Sequence, residues 1–325
     1  MPAPRASALG LMLGLLVLAG CAATGPSAPS HELLPRAAVE LVDVPFYPQE
    51  RYQCGPAALA MMLDWSGTSV GSQALTDKLY IPARQGSLQP ELVAQARQHQ
   101  RLVYPIRGEP QALLDELAAG HPVLVLQNLA LPWWPRWHYA VVIGYEPKRG
   151  ELLLRSGTTK RHRIPLSTFL HTWARGNNWG IVTLRPGHIP ATAEPGPYLA
   201  AAFDLEAAGL PEQAATAYRA GINQWPGHPG LRVALANHYY TAGRTLDAAE
   251  VLQQGVSAGA ADGDLYNNLA LLLADLGRWD QAEAAAQQAV RFGGPNSRQY
   301  QDTLAEVCRR YPEGGCAAET QPGWN

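Results

Sequence analysis

The sequence predicts an α+β domain followed by an all-α repeat region. Helical and strand patterns mix up to about residue 186, a Pro/Gly-rich stretch follows, and the remaining residues have helical spacing with a fixed period. The length of 325 residues suggests about two domains. A hydrophobic content of 47% and a net charge of -2 are typical of globular proteins and, without any basic run, argue against a general nucleic-acid binder.

The first residues are predicted to be removed on export. "MPAPRASALGLMLGLLVLAGC" contains Arg5, then an apolar run too short to span a bilayer, and ends in Leu-Ala-Gly-Cys. It resembles a bacterial lipoprotein signal peptide at residues 1–20, which implies lipidation of Cys21. The Ala22 that follows implies an outer-membrane lipoprotein facing the periplasm. The alternative is an ordinary signal peptide with an incidental cysteine. Residues 21–40, rich in Ala, Ser and Pro, are predicted to be a tether.

The first folded region is predicted to span residues 41–186. Three segments have helical spacing, and four later ones have strand patterns separated by a turn at 147–150, which together indicate an α+β domain. The predicted helices are "CGPAALAMMLDWSG", "LQPELVAQARQHQ" and "EPQALLDELAAG", and the predicted strands are 122–129, 138–146, 151–157 and 179–186.

The second region repeats with a period of 34 residues. Gly209, Gly243 and Gly277 have this spacing, and an alanine follows each of them after five residues. The pattern resembles tetratricopeptide repeats over about residues 195–296. It predicts a linker at 187–197, a repeat domain at 198–312 that ends in a capping helix, and a tail at 313–325. The alternative is an unrelated helical bundle. The resemblance implies a concave surface for a protein or peptide partner.

The four cysteines have different predicted roles. Lipidation would use Cys21, and Cys308 and Cys316 either form a disulfide in an oxidising periplasm or remain free thiols. In both cases Cys54 is left unpaired.

Cys54 lies where a polar segment gives way to a helical run. Pro56 suits the first turn of a helix, and Gly55 permits a sharp turn and a close approach to a ligand. The positive end of the helix dipole favours a thiolate at this position, so we predict a lowered thiol pKa and a nucleophilic cysteine.

His138 is the best candidate for the base that such a nucleophile needs. It begins the strand "HYAVVIGYE" directly after the aromatic loop "PWWPRW", at a strand end that can face a cleft. The alternative is a half-buried strand histidine. Trp133, Trp134 and Trp137 either shape a substrate rim or pack under the loop.

These motifs together resemble the papain-like bacteriocin-processing cysteine peptidases, which include the double-glycine leader peptidases of export transporters. "VPFYPQERYQCGPAALAMML" and, about 85 residues later, "HYAVVIGYE" carry the resemblance, which covers about residues 41–186. It implies that Cys54 is the nucleophile and His138 the general base. Gln49 would be the oxyanion-hole glutamine, with the adjacent Gln53 as a competitor.

One position departs from the family pattern. The family has Asp-Pro at the end of the strand after the His strand, where the aspartate orients the imidazole. This chain has Ser156 and Gly157 there. A serine can accept an imidazole N–H but carries no charge to stabilise imidazolium. Either Ser156 performs this role weakly, or a backbone carbonyl, Asn177, Asn178 or another residue replaces it.

The resemblance therefore implies an outer-membrane lipoprotein that hydrolyses peptide bonds through a Cys–His thiolate mechanism. No His, Cys or carboxylate pair has metal-ligand spacing and no phosphate loop is present, so we expect no cofactor. The expected partners are a peptide or protein substrate, a protein on the repeats, and the membrane through the lipid anchor alone. The substrate need not be a double-glycine leader. The alternatives are an inactive peptide-binding scaffold and a Cys–His acyltransferase or amidase.

Overall fold

The computed structural model describes residues 37–49, 52–260 and 262–311. The signal peptide, the lipidation site Cys21 and the cysteine at position 316 lie outside these residues. Lipidation and the C-terminal disulfide therefore stay predictions. No helix in the described ranges is long and apolar enough to cross a membrane.

The first domain is an antiparallel sheet with helices on both faces. Its strands and helices are β1 (Val39–Glu40), α1 (Cys54–Trp65), α2 (Ser72–Leu79), α3 (Gln89–Gln98), β2 (Leu102–Pro105), α4 (Pro110–Ala118), β3 (Val123–Asn128), β4 (Trp137–Glu146), β5 (Glu151–Ser156), β6 (Thr159–Pro165), α5 (Leu166–Ala174) and β7 (Gly180–Leu184). A short 3-10 turn spans Pro82–Arg84.

The sheet has the strand order β2-β7-β3-β4-β5-β6, and β1 pairs with the end of β4. All four predicted strands are present as β3, β4, β5 and β7. The sequence patterns missed β1, β2 and β6. The first two are only two and four residues long. The third, "TKRHRIP", is an edge strand with no buried residue, so it lacks the alternation of polar and apolar residues that identifies a strand.

The two faces of the sheet carry separate apolar cores. Side chains of a strand alternate between faces, so Val141 and Ile143 of β4 pack in the cluster that contains α1. Ala140 and Val142 pack in the cluster that contains α4 and α5. The second cluster continues into the repeats without a break.

The second region consists of paired helices and a final single helix. They are α6 (Pro195–Ala207), α7 (Pro211–Gln224), α8 (Pro229–Thr241), α9 (Thr245–Ser257), α10 (Gly263–Asp275), α11 (Trp279–Phe292) and α12 (Ser297–Arg310). The predicted period has a physical basis. The three turn glycines have φ of +79, +74 and +71, which favours glycine, and the alanines five residues later are fully buried.

The segment between the regions is fixed to the first domain. The carboxylate of Glu116, on α4, accepts hydrogen bonds from the backbone N–H groups of Ala191 (3.1 Å) and Thr192 (2.8 Å) and from the Thr192 hydroxyl (2.6 Å). His121 contacts the same carboxylate at 2.7 Å. The last part of the predicted linker is helical, because α6 begins at Pro195.

The first repeat helix packs on the sheet. Tyr198 and Leu205 of α6 are fully buried in the cluster that also contains Leu102 and Tyr104 of β2. Arg97 of α3 forms an ion pair with Asp204 of α6. We call this contact region, with residues 187–194, the junction.

Candidate active site

Cys54 is the first residue of α1, as the sequence predicts. The nine residues from Gly55 to Leu63 are all buried, which explains the near-continuous apolar character of this helix. Pro56 has no N–H and the Ala57 N–H donates to the Gln53 carbonyl at 3.2 Å, so the N–H groups of Cys54 and Gly55 are those left without an intrahelical acceptor.

Gly55 makes a close approach, but to the protein itself. A Cβ at this position would lie 2.9 Å from both Cβ and Oγ of Ser87 and 3.4 Å from the Tyr139 ring. The glycine therefore allows the start of α1 to pack against the segment that precedes α3, and this packing determines the position of the cysteine.

The thiol of Cys54 lies beside the beginning of β4. The backbone N–H groups of Tyr139, Gly55 and Cys54 hydrogen-bond to the sulfur and lower its pKa. Burial is the larger effect, and the net result is a raised thiol pKa. The pKa therefore shifts in the direction opposite to the one predicted from the helix N-terminus, because the loss of solvent around the half-buried thiol has the larger effect.

His138 lies at the same end of β4, next to Tyr139 in the chain. Burial, followed by electrostatic interaction with the nearby Arg136 and His162 side chains, lowers the pKa of its imidazole to about 4. The ring is therefore neutral at pH 7 and able to accept a proton. With a raised thiol pKa, the resting pair is a neutral thiol and a neutral imidazole rather than an ion pair.

Ser156 lies at the end of β5, where the sequence comparison placed it. Its Oγ is 2.8 Å from Nε2 of His138. The β5–β6 register shifts between Leu154 and Ser156, and Ser156 itself pairs with Thr159 of β6. In the described part of the chain, this hydroxyl is the side-chain hydrogen-bond partner of the imidazole.

Gln49 connects the two strands that carry His138 and Ser156. Its Oε1 accepts the N–H of Gly157 at 3.0 Å, and its Nε2 donates to the Tyr139 carbonyl at 3.4 Å. Its backbone N–H also donates to the Gly157 carbonyl at 3.0 Å. The amide is therefore held beside the residue whose N–H contacts the thiol.

The other candidates occupy different places. Gln53 precedes α1, and its Oε1 accepts a hydrogen bond from Thr76 Oγ1 of α2 at 3.5 Å. Asn177 and Asn178 form the turn after α5, with φ of +56 and +49. Their backbone N–H groups donate to carbonyls of α5, and the Cβ of Asn178 faces Gly108.

Sequence reasoning missed two residues beside the thiol. Tyr139 contributes its N–H to the sulfur, and its hydroxyl donates to the Ser87 carbonyl at 3.3 Å. Ser87 Oγ is buried and has no hydrogen-bond partner among the described residues. The His-aromatic pair at the head of β4 was a usable signal for Tyr139. Ser87 has none, because its proximity to Gly55 arises only from the fold.

Of the two readings of the tryptophans, packing under the loop is wrong. Trp133 and Trp134 are each 78% exposed and Trp137 is 52% exposed. Among the residues that the structure describes, no cluster of three or more His, Cys, Asp or Glu side chains could hold a metal ion.

Two family models match separate parts of the chain. Residues 41–180 match the Peptidase C39 like family, and residues 205–269 match the tetratricopeptide repeat. The protein therefore contains a peptidase C39-like domain with a sheet, followed by a run of helices of which residues 205–269 match the tetratricopeptide repeat. No curated protein matches the chain.

Three solved structures are similar to parts of the chain. A C39-like peptidase from Bacillus anthracis is 18% identical over 46% of this chain and 98% of its own, with a TM-score of 0.39. A double glycine motif protease from an AMS/PCAT transporter, solved with the leader peptide, is 19% identical over 46% and 94%, with a TM-score of 0.33. YrrB, a TPR protein with an unusual peptide-binding site, is 20% identical over 39% and 63%, with a TM-score of 0.33.

Proposed function

We propose that the protein is a cell-envelope cysteine peptidase in which Cys54 attacks peptide carbonyls and His138 acts as general base. The observation that carries the proposal is the start of β4, where the Tyr139 N–H contacts the Cys54 thiol and the preceding residue, His138, has Ser156 Oγ 2.8 Å from its Nε2. The family match of residues 41–180 to C39-like peptidases supports the same class of chemistry.

The hydrogen bond at Ser156 defines the tautomer that the mechanism needs. Nδ1 must be unprotonated to accept the thiol proton, so Nε2 carries the hydrogen and donates it to Ser156 Oγ. The proton moves from sulfur to Nδ1 as the sulfur attacks the carbonyl carbon. Because both groups are neutral at rest, this transfer accompanies substrate binding instead of preceding it.

The remaining steps follow acyl-transfer chemistry. The C–S bond forms and the carbonyl oxygen becomes an oxyanion, for which we propose Gln49 Nε2 and the Cys54 N–H as donors. The C–N bond then breaks, and His138 gives its proton to the leaving amine. Water, deprotonated by His138, hydrolyses the thioester and regenerates the thiol.

We further propose that the protein is an outer-membrane lipoprotein facing the periplasm and that its repeats bind a protein or peptide. The first part rests on the Leu-Ala-Gly-Cys sequence before Ala22, and the second on the repeat match.

Hydrolysis of a generic unfolded substrate such as casein tests the proposal, with Cys54→Ser and His138→Ala as inactive variants and the exposed Ser167→Ala as a folded control. We expect both site variants to lose activity by at least about 1000-fold. We also expect kcat/KM to fall as pH falls through about 4, where His138 becomes protonated. Wild-type activity in Cys54→Ser would exclude the proposed nucleophile.

We also propose a second function, that of a peptide-binding domain of weak or absent activity. It is favoured by Ser156, which carries no charge where the family has an aspartate, and by the raised pKa of the Cys54 thiol. Ser156→Asp distinguishes the two. A carboxylate would stabilise the imidazolium, so we expect at least about tenfold higher kcat/KM in an enzyme. Ser156→Asn, which is similar in size but neutral, is the matched control. If neither the wild type nor either variant shows turnover, the result would favour the binding domain.

A further inference from the structure

A ring of exposed apolar side chains lies beside the candidate active site. The segment 129–137, which we call the Trp hairpin, connects β3 to the first residue of β4 and has the sequence "LALPWWPRW". Its tryptophans are exposed, and Leu131 is 52% exposed. Large apolar side chains that are clustered and exposed to solvent are typical of a binding surface rather than of an ordinary loop.

The hairpin is ordered by a buried residue. Asn128 is 2% exposed, and its Oδ1 accepts the backbone N–H groups of Ala130 at 3.0 Å and Arg136 at 2.9 Å. The Leu129 N–H donates to the Arg136 carbonyl at 2.9 Å, and Arg175 donates two hydrogen bonds to the Asn128 carbonyl. The tryptophans are therefore presented to solvent by a fixed backbone, which reduces the entropy that a ligand must remove on binding.

The hairpin lies at the end of β4 where the proposed substrate would bind. It ends at Trp137, the residue directly before His138. The chain enters the fold at β1, which pairs with Tyr145 and Gly144 at the other end of β4. Tyr145 lies eight positions along β4 from Trp137, about 26 Å, so the first described strand does not cover the hairpin.

The composition of the Trp hairpin favours an apolar polypeptide segment as its ligand. Arg136 is the charged residue of the segment, and no carboxylate lies within residues 129–137 to attract a basic peptide. The flat faces of three indoles and the two prolines suit an extended segment with proline and aliphatic side chains, as in other aromatic-lined peptide sites.

We infer that the Trp hairpin binds an extended apolar segment of a polypeptide substrate, next to the bond that Cys54 attacks. This inference rests on the proposed function and adds to it the substrate class. It makes the hairpin a specificity-determining element, whereas the Cys–His pair performs the chemistry.

The test measures binding without turnover. The full chain with Cys54→Ala is titrated into two fluorescein-labelled peptides of equal length and net charge, one built of Leu and Pro and one of Ser and Gly. Fluorescence anisotropy gives each Kd. We expect the apolar peptide to bind about tenfold tighter or more, and Trp133→Ser with Trp134→Ser to remove this difference. Phe203→Ser, which removes a 57% exposed ring from α6, should leave it unchanged.

Three results would overturn the inference. These are equal affinity for both peptides, a preference that survives the double Trp substitution, and Trp-dependent binding of phosphatidylethanolamine/phosphatidylglycerol vesicles without any peptide preference. The last result would assign the hairpin to a membrane surface. Every protein in this binding test carries Cys54→Ala. The measured Kd values therefore do not depend on whether the wild-type protein hydrolyses peptides, so the proposed function can fail without affecting this inference.

Discussion

The junction and the Trp hairpin are two irregular segments built in the same way. Each is fixed by one buried polar side chain that accepts two backbone N–H groups: Glu116 holds residues 191 and 192, and Asn128 holds residues 130 and 136. They differ in what happens to their apolar side chains. At the junction these are covered by the sheet and α6, whereas on the hairpin they face water.

This difference in burial gives the two segments different effects on the free energy of folding. Fixing a loop costs conformational entropy in both places. At the junction burial of apolar area offsets this cost, so order contributes to the stability of the protein. The hairpin has no such burial of its tryptophans. Burial of apolar area can offset the entropic cost of its order only when another molecule covers these side chains. Variants at the two sites should therefore have effects of different kinds.

The largest expected effect is removal of the repeats. A chain ending at residue 194 loses α6, and fully buried side chains such as Tyr198 and Leu205 each contribute about 2 kcal/mol through burial. The exposed sheet face should cause aggregation or loss of the thermal transition. Differential scanning calorimetry and light scattering measure both. A chain ending at residue 259 retains α6 to α9 and should keep the first domain folded. An unchanged Tm after truncation at 194 would show that the junction does not stabilise the sheet.

The next effect is expected for Glu116→Ala. The substitution leaves the N–H groups of Ala191 and Thr192 without their acceptor in a buried site, at a cost of about 3 kcal/mol. Chemical denaturation measures the free energy of unfolding. The exposed Glu109→Ala is the matched control, for which we expect a change within about 0.5 kcal/mol. Equal effects of the two substitutions would contradict the role given to Glu116.

Asn128→Ala should have a smaller effect on stability and a larger one on local order. The released N–H groups of Ala130 and Arg136 can bond to water, so we expect a loss of about 1 kcal/mol. Hydrogen exchange at these two amides should become faster. The exposed Asn237→Ala serves as the control. Unchanged exchange rates would mean that the hairpin is held by other contacts.

The smallest effect concerns pH. Burial raises the pKa of the Glu116 carboxyl, but the hydrogen bonds from His121, Thr192 and Ala191 together outweigh this effect and lower the pKa below its ordinary value of 4.5. The unfolded state then binds a proton before the folded state does, so the stabilisation is complete above pH 4.5 and is lost as pH falls through the folded-state pKa. The stability difference between wild type and Glu116→Gln should shrink in this range.

Asn128 provides the contrast for the pH experiment. Its side chain does not titrate, so the difference between wild type and Asn128→Ala should be independent of pH. A pH-dependent difference at Asn128, or a constant one at Glu116, would remove the distinction between the two anchoring groups.

Much of the fold could be predicted because it depends on local patterns. The period of 34 residues follows from a turn glycine and a buried alanine in each repeat, and both are visible in the sequence. The buried strands have apolar runs. The edge strand β6 could not be predicted, since it has no buried residue and its strand pairing is with β5, at the edge of the sheet.

The candidate site could be predicted in part. Cys54, His138 and Ser156 were chosen from sequence, and the structure brings the last two within hydrogen-bond distance. The direction of the thiol pKa was wrong because burial depends on tertiary packing, which spacing does not reveal. Ser87, 33 residues from Cys54, and the anchoring roles of Glu116 and Asn128 are also consequences of packing between distant segments.

The shared core at the junction has a consequence for the cleavage of polypeptides that we propose. Helices α6 to α8 share one apolar core with the sheet that carries His138, so packing fixes their position relative to the candidate site. A polypeptide bound to these repeats would have to bridge a constant distance to reach Cys54. Chains shorter than this distance would occupy one surface or the other, so the two surfaces together would select for length as well as composition.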